Sequence, residues 1–413
     1  MWDRKYTAWF LADTTGQAMS AIRSFAFPVV VLASTGSVTT AGLSASLAIM
    51  SGAFSMPVGG WLQDRWDRRM LLALWGVSGI LLFAFAVLAV LWLPTSTWQW
   101  LALAVLFGLR SGILGSVSNV LLRSVVSAKD LPNAMAMQDG RDAALSMAGP
   151  PIGGVLLSIS YWLPFAVGVI FSAISTVCTF FIPRHNVSPS AQNVSPTVKE
   201  AERITAGFWD GMIWLKNNQF SFVLAVFGTP IITIFNCVIL VAGLDLVRRG
   251  VNPGIVGLAD TSAAAGALIG SVLVAPLRKR IRGSWLVIAA FAVPAICAMA
   301  SGLFTHPGLR IACFIPAFLL LPVGNAVVGA IQISIIPDKL LGRVFSSVGL
   351  LEGGISAVAV WIASRGLDLF GYRVVTVIAG VVILLLLTVV IRRCRIGEIP
   401  KPEGIAEFSR SVA

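Results

Sequence analysis

Charged residues stand inside long apolar stretches of this chain, where charge is expensive. Glu352 is set in Gly349-Leu350-Leu351-Glu352-Gly353-Gly354, and Asp13 precedes Arg23 by ten residues in the first apolar run. On insertion scales a charge at the centre of a bilayer costs about 2.5–3.5 kcal/mol, so each needs a partner, a wet cavity or a change of protonation. Carboxyl groups in such places suit the uptake and release of protons. Glu352 is the first candidate for that role, with room left by its glycine neighbours, and Asp13 is the second. Asp139, Asp142 and Asp260 complete the set. Arg23, Arg110 and Arg141 are candidates for charge relay or substrate contact. Ten helical residues span roughly 15 Å, so Asp13 and Arg23 are too far apart to pair directly. Asp139 and Asp142 share a helical face, while Arg141 projects about 100° away from Asp142. That trio reads either as a proton relay or as a solvated network near the cytoplasmic surface. Asp245, Arg248 and Arg249 are expected just beyond a span, in water.

The elements that must hold these residues follow from composition. The chain has 413 residues, 57% of them apolar and 12% charged, with a mean hydropathy of +0.88. An ordinary soluble chain carries about 25% charge. A soluble multidomain enzyme, a disordered protein and a secreted disulfide scaffold are all excluded. Apolar runs fall near 9–34, 41–62, 70–93, 98–122, 133–159 and 161–182, and again near 219–246, 253–277, 284–304, 308–336, 343–364 and 372–394. Each suits a membrane-spanning helix of roughly 20 residues. The runs are too long and continuous for the strands of a barrel. The first is expected to be an uncleaved span.

Twelve spans in two sets of six predict an all-α membrane protein built as two six-helix bundles. The expected divisions are an N-terminal bundle at 1–182, a cytoplasmic linker at 183–218, a C-terminal bundle at 219–394 and a cytoplasmic tail at 395–413. The linker is rich in Ser and Pro, and Phe208–Gln219, with Trp209 and Trp214, suits a helix in the interface. Gly42-Leu43, Leu62 and Arg65 recur as Gly257-Leu258, Leu277 and Arg280, a weak internal repeat. Parallel halves would place a cavity between them, near the midplane. With both termini cytoplasmic, the outer side holds only Arg248, Arg249, Arg310, Arg365 and Arg373 among the lysines and arginines outside spans, as the positive-inside rule requires. The net charge of +12 is then a basic cytoplasmic face rather than a nucleic-acid footprint. Trp61, Trp66, Trp92, Trp98, Trp100 and Trp162 read as an interfacial belt, and Phe235, Asn236 and Trp361 as residues able to face a cavity. The five cysteines and two histidines show neither metal-ligand spacing nor a catalytic constellation, and no phosphate-binding Gly-x-x-x-x-Gly-Lys loop occurs. Neither metal, cofactor nor enzymatic activity is expected.

Two motifs carry a resemblance. The loop after the second span reads Gly60-Trp61-Leu62-Gln63-Asp64-Arg65-Trp66-Asp67-Arg68-Arg69. Gly60 would permit close helix approach, Asp64 would cap or pair at helix ends, and the arginines would anchor the turn at the inner leaflet. This loop resembles the signature of the major facilitator superfamily, Gly-x-Leu-x-Asp-Arg-x-Gly-Arg-Arg. It matches at Gly60, Leu62, Asp64, Arg65, Arg68 and Arg69 and places Asp67 where many members have glycine. That variant, with Thr35-Gly36-Ser37, Asp338 and Gly342-Arg343-Val344, is similar to the drug and siderophore exporter branch. The fifth span holds Gly149-Pro150-Pro151-Ile152-Gly153-Gly154. It is similar to the antiporter motif Gly-x-x-x-Gly-Pro-x-x-Gly-Gly at Gly149, Pro150, Gly153 and Gly154, with Leu145 in place of the leading glycine. Leu109-Arg110-Ser111-Gly112 resembles the fourth-span arginine motif linked to proton transfer; a counter-ion role is the alternative for Arg110.

The resemblance implies a monomeric secondary transporter in the cell (inner) membrane that expels amphipathic organic compounds, drug- or siderophore-like, in exchange for protons by alternating access. The alternatives are uptake or exchange of a small anionic metabolite and a non-transporting membrane scaffold or sensor.

Overall fold

A computed structural model of the chain describes residues 4–92, 96–127, 130–182, 211–337 and 340–394. Most of the expected linker and the whole tail lie outside these residues. Among the described residues every regular element is helical, and eleven stretches are long and apolar enough to cross a bilayer. The last, Arg343–Arg393, has 51 residues, enough for two crossings. It belongs to a helix, Leu341–Arg393, that breaks at Gly371, where φ is 77° and ψ 168°. Only glycine adopts that backbone conformation readily, so one residue turns the chain between the last two spans. The fold is the expected all-α, twelve-span architecture.

The chain gathers into two compact units. The first draws on Met1–Asn193 and Leu246–Thr261. Its helices are α1 (Arg4–Thr35), α2 (Val38–Arg65), α3 (Arg68–Leu91), α4 (Thr97–Leu114), α5 (Val117–Val125), α6 (Leu131–Ile159) and α7 (Leu163–Phe180). Local chemistry sets their ends. Gly36, at φ 67°, turns α1 into α2, where Ser37 Oγ accepts from Thr40 N at 3.1 Å as an N-cap. Ser96 and Gln99 form a capping box at α4.

Small residues then set the packing. Gly52, Gly59, Gly108 and Gly112 bring α2 and α4 together, and a Cβ at Gly59 would lie 2.7 Å from Gly112 O. With the backbones this close, Ser51 Oγ donates across to Val105 O at 3.2 Å. Gly60 is a correction to the expected packing residue: a Cβ there would meet nothing within 4 Å. Its neighbour Gly59 makes the close approach. Trp100 is another correction, being 1% exposed and packed on Phe27 at 6.0 Å. Trp61, Trp66, Trp92 and Trp98 are exposed, as a belt requires.

The second unit draws on Val194–Asp245 and Ser262–Ala413. Its described part opens with α8 (residues 211–217), whose Leu215 is buried in a small core with Ile336 and Val344. Next come α9 (Gln219–Val223), a π-helical turn at Leu224–Gly228, and α10 (Thr229–Arg248). After α11 (Pro253–Val256) run α12 (Leu258–Arg280), α13 (Gly283–Ser301), α14 (Pro307–Ala312), α15 (Phe314–Leu319), α16 (Leu321–Ile335) and α17 (Leu341–Arg393). The short helix α11 and the first turn of α12 belong to the first unit, against α6.

Candidate functional site

In the first unit, α1 and α6 bring Asp13, Arg141 and Asp142 together. Asp13 is fixed by its own helix: Trp9 Nε1 donates to Ser118 O at 3.0 Å, and Ser175 Oγ donates to Ala12 O at 3.1 Å. Arg141 Nη2 donates to Asp13 Oδ2 and to Asp142 Oδ1 at 2.7 Å, while Nε reaches the same Asp142 oxygen at 3.0 Å. Nη1 lies 3.3 Å from Thr14 Oγ1, and the guanidinium faces the Phe10 ring at 5.1 Å. One cation thus serves two carboxylates. The side chains of Asp13 and Arg141 are 5% and 8% exposed, that of Asp142 36%. The solvated-network expectation is therefore corrected for Arg141, which is buried between helices and open only on the Asp142 side. The offset between residues 141 and 142 proves no obstacle, because the long arginine stem folds back to its neighbour.

Further along α1, Arg23 has no described carboxylate near it. Its guanidinium faces the Phe107 ring at 5.0 Å. On α4, Arg110 donates through Nε and Nη2 to Trp75 O at 3.2 and 2.9 Å, and through Nε to Ser78 Oγ at 3.3 Å. It also lies over the Trp75 ring at 3.5 Å. Arg110 also faces the Phe83 ring at 6.0 Å, and Phe83 lies 4.9 Å from Phe107, the ring that Arg23 faces.

The loop motif is held by its own hydrogen bonds. Asp67 caps α3, its Oδ1 accepting from Arg69 N at 3.0 Å. Arg69 Nε and Nη2 then donate to Thr179 O and Phe180 O, both at 3.0 Å, at the C-terminus of α7, where a cation is favoured. Arg65 lies over the Trp61 ring at 4.4 Å, and Arg68 is half-buried. The Asp64 and Asp338 side chains lie outside the described residues.

In the proline-rich stretch of α6, Gly149 and Gly153 face α1, where a Cβ at Gly149 would lie 2.9 Å from Ala21 C. A Cβ at Gly154 would lie 2.9 Å from Pro253 C of α11, and one at Gly257 2.8 Å from Pro150 C. Thr261 Oγ1 donates to Met147 O at 3.0 Å beside them.

A family model of the Major Facilitator Superfamily matches residues 14–248, more than half of the chain. The chain belongs to that superfamily. It is a multi-pass membrane transporter and not an enzyme. Among curated relatives of this facilitator is macrolide efflux protein A of Streptococcus pyogenes, 23% identical over 388 residues, covering 90% of this chain and 92% of the relative. Multidrug resistance protein MdtG of Salmonella arizonae is 26% identical over 407 residues, with 92% and 93% covered. Among solved structures, the nucleoside transporter NupG superposes with a TM-score of 0.67 at 11% identity, covering 95% of this chain and 99% of the other. A bacterial homologue of the human lysosomal transporter Spinster gives 0.67 at 14% identity, covering 96% and 98%. These likenesses concern the fold.

The other predicted carboxylates of the facilitator do not join the cluster. Asp139 is exposed on α6. Asp260 occupies the first turn of α12, where the helix dipole favours an acid. Glu352 is exposed on its helix, and Cβ atoms at Gly349 and Gly354 would meet nothing within 4 Å.

Within the second unit, a buried pair escaped the sequence reading. Arg310 Nη1 donates to Asp245 Oδ2 at 2.8 Å, with side-chain exposures of 3% and 0%. Arg310 stacks on the Tyr372 ring at 4.0 Å, and Tyr372 OH shares a 2.9 Å hydrogen bond with Ser301 Oγ. Asp245 is thus not solvated, although Arg248 and Arg249 are exposed. Arg310 is not a loop residue. A signal was present: His306 caps α14, its Nδ1 accepting from Gly308 N at 3.2 Å, and Pro307 opens the helix. That places Arg310 inside a helix.

Proposed function

We propose that this facilitator expels amphipathic organic compounds from the cytoplasm in exchange for protons, by alternating access, with both termini cytoplasmic. The observation that carries the reading is the Asp13–Arg141–Asp142 cluster. Protonation of Asp13 removes the charge that holds Arg141 across α1 and α6, so proton uptake alters a contact between two spans rather than a surface group. Conformations that differ in that contact differ in proton affinity, as coupling requires. Glu352, open and bordered by glycines, is the proton-carrying candidate of the second unit. The efflux direction is supported by the names of the curated relatives and by the glycine–proline stretch of α6. The driving force is the membrane field, worth about 2.3 kcal/mol per charge per 100 mV, together with the pH difference.

The test is drug accumulation in cells lacking their own efflux pumps. Expression should lower accumulation, and an uncoupler should restore it. Asp13→Asn and Glu352→Gln should each abolish uncoupler-sensitive efflux with normal membrane levels of protein. Unchanged pH-dependent transport in both variants would reject the coupling.

A further inference from the structure

We infer that Arg23 and Arg110 form a subsite for the acidic group of the cargo, so that the preferred substrates are amphipathic organic anions such as aryl carboxylates. The inference deepens the efflux reading and rests on it for the assignment of the ligand as cargo.

Buried cations in proteins are normally matched with anions, because an unmatched one retains its desolvation cost. This chain follows the rule elsewhere. Arg141 holds two carboxylates and Arg310 holds one. Arg23 and Arg110, both half-buried, depart from it: among the described residues neither forms an ion pair, and the two flank one pair of rings, Arg23 at 5.0 Å from Phe107 and Arg110 at 6.0 Å from Phe83, with the rings 4.9 Å apart. Their partners are instead rings and neutral oxygens, namely Phe107 for Arg23 and Trp75 and Ser78 for Arg110. Such partners orient a guanidinium without neutralising it.

Donors remain for a ligand. Arg110 uses Nε and Nη2, and its Nη1 makes no described hydrogen bond. Arg23 makes no described hydrogen bond at all. It is only partly buried, and none of its nitrogens is among the sealed, unpartnered polar atoms of the described residues. These open donors are what an oxyanion would accept charge-assisted hydrogen bonds from. The helix opposite makes room for this arrangement: a Cβ at Gly79 would lie 2.8 Å from Arg110 Nη2 and 2.6 Å from Ser172 Oγ. The flanking indole and phenyl rings suit the apolar body of an amphipathic acid better than a strongly hydrated inorganic ion. An inside-negative potential also favours the outward movement of an anion, in keeping with export.

The test is equilibrium binding of three matched probes to the purified full-length protein in phosphatidylcholine nanodiscs, in chloride buffer and without any gradient. The probes are 2-naphthoate, the neutral 2-naphthamide and the cationic 2-naphthylmethylammonium. Naphthoate should bind at least about tenfold more tightly than either of the others, as expected for charge-assisted contacts. Arg23→Gln, which removes no described hydrogen bond, should erase that preference, Arg110→Gln should do the same, and Arg23→Lys should retain part of it. Equal binding of the three probes, or no binding of any, overturns the inference, as does an undiminished preference in monodisperse Arg23→Gln protein. Titration with phosphatidylglycerol separates cargo from a lipid headgroup: unchanged naphthoate affinity supports the assignment, and competitive loss overturns it. Because binding is read without a gradient, failure of the uncoupler test leaves this result standing. An antiporter of neutral cargo fails only here.

Discussion

Two buried ion pairs, one in each unit, use the same chemistry to different ends. In the first unit one guanidinium serves two carboxylates, and Asp142 stays 36% exposed. In the second, Asp245 is 0% and Arg310 3% exposed, and Tyr372 covers the guanidinium. The first cluster carries a spare carboxylate and a route to water, so its pairing can be exchanged. The second is matched and sealed. Burial alone does not distinguish the two carboxylates; an unequal count of charges with one open edge does. By that criterion Asp13 is the group we propose for coupling, and Asp245 is one that holds helices together.

The comparison breaks most severely at Arg310. Arg310→Leu strands a buried carboxylate and should lower stability by about 3–5 kcal/mol, read as a fall in the unfolding midpoint in detergent. The double replacement Asp245→Leu with Arg310→Leu should recover most of the loss, since apolar residues can replace a buried pair at little cost. Recovery would confirm that the pair serves packing; failure would give Asp245 a further role. Asp13→Asn should behave in the opposite manner, with a smaller loss of about 1–3 kcal/mol from altered hydrogen bonding and with coupled efflux lost. Asp142→Asn, half-open to water, should change stability by less than about 1 kcal/mol and shift the pH at which efflux is half-maximal rather than abolish it. The smallest effect is local. Asp67→Ala should cost about 1 kcal/mol as a lost N-cap, and Asp67→Ser should retain it; equal losses in both would mean that the carboxylate charge at this position does more than cap α3.

How far the sequence foretold these regions depended on the range of the interactions. Spans were legible because twenty successive apolar residues are a local signal. The loop motif was legible by resemblance, although its mechanics were not: Asp67 is the cap of α3, and Gly59 rather than Gly60 touches α4. Asp13 and Arg141 were separately visible as costly charges, but their pairing depends on how α1 packs against α6. Asp245 and Arg310 were missed for a different reason. Each lies near the end of a helix, where hydropathy fades and a charge reads as solvated. Their burial follows from the packing of α10, α14 and α17, which no local window contains.

The break at Gly371 has a mechanical consequence. A joint of one residue has no spare length, so the rods on either side cannot slide independently of each other. The final pair of crossings therefore behaves as a bent lever rather than as two pistons. A reporter peptide spliced at that corner would wedge the rods apart, and Gly371→Ala would force them to choose a new angle.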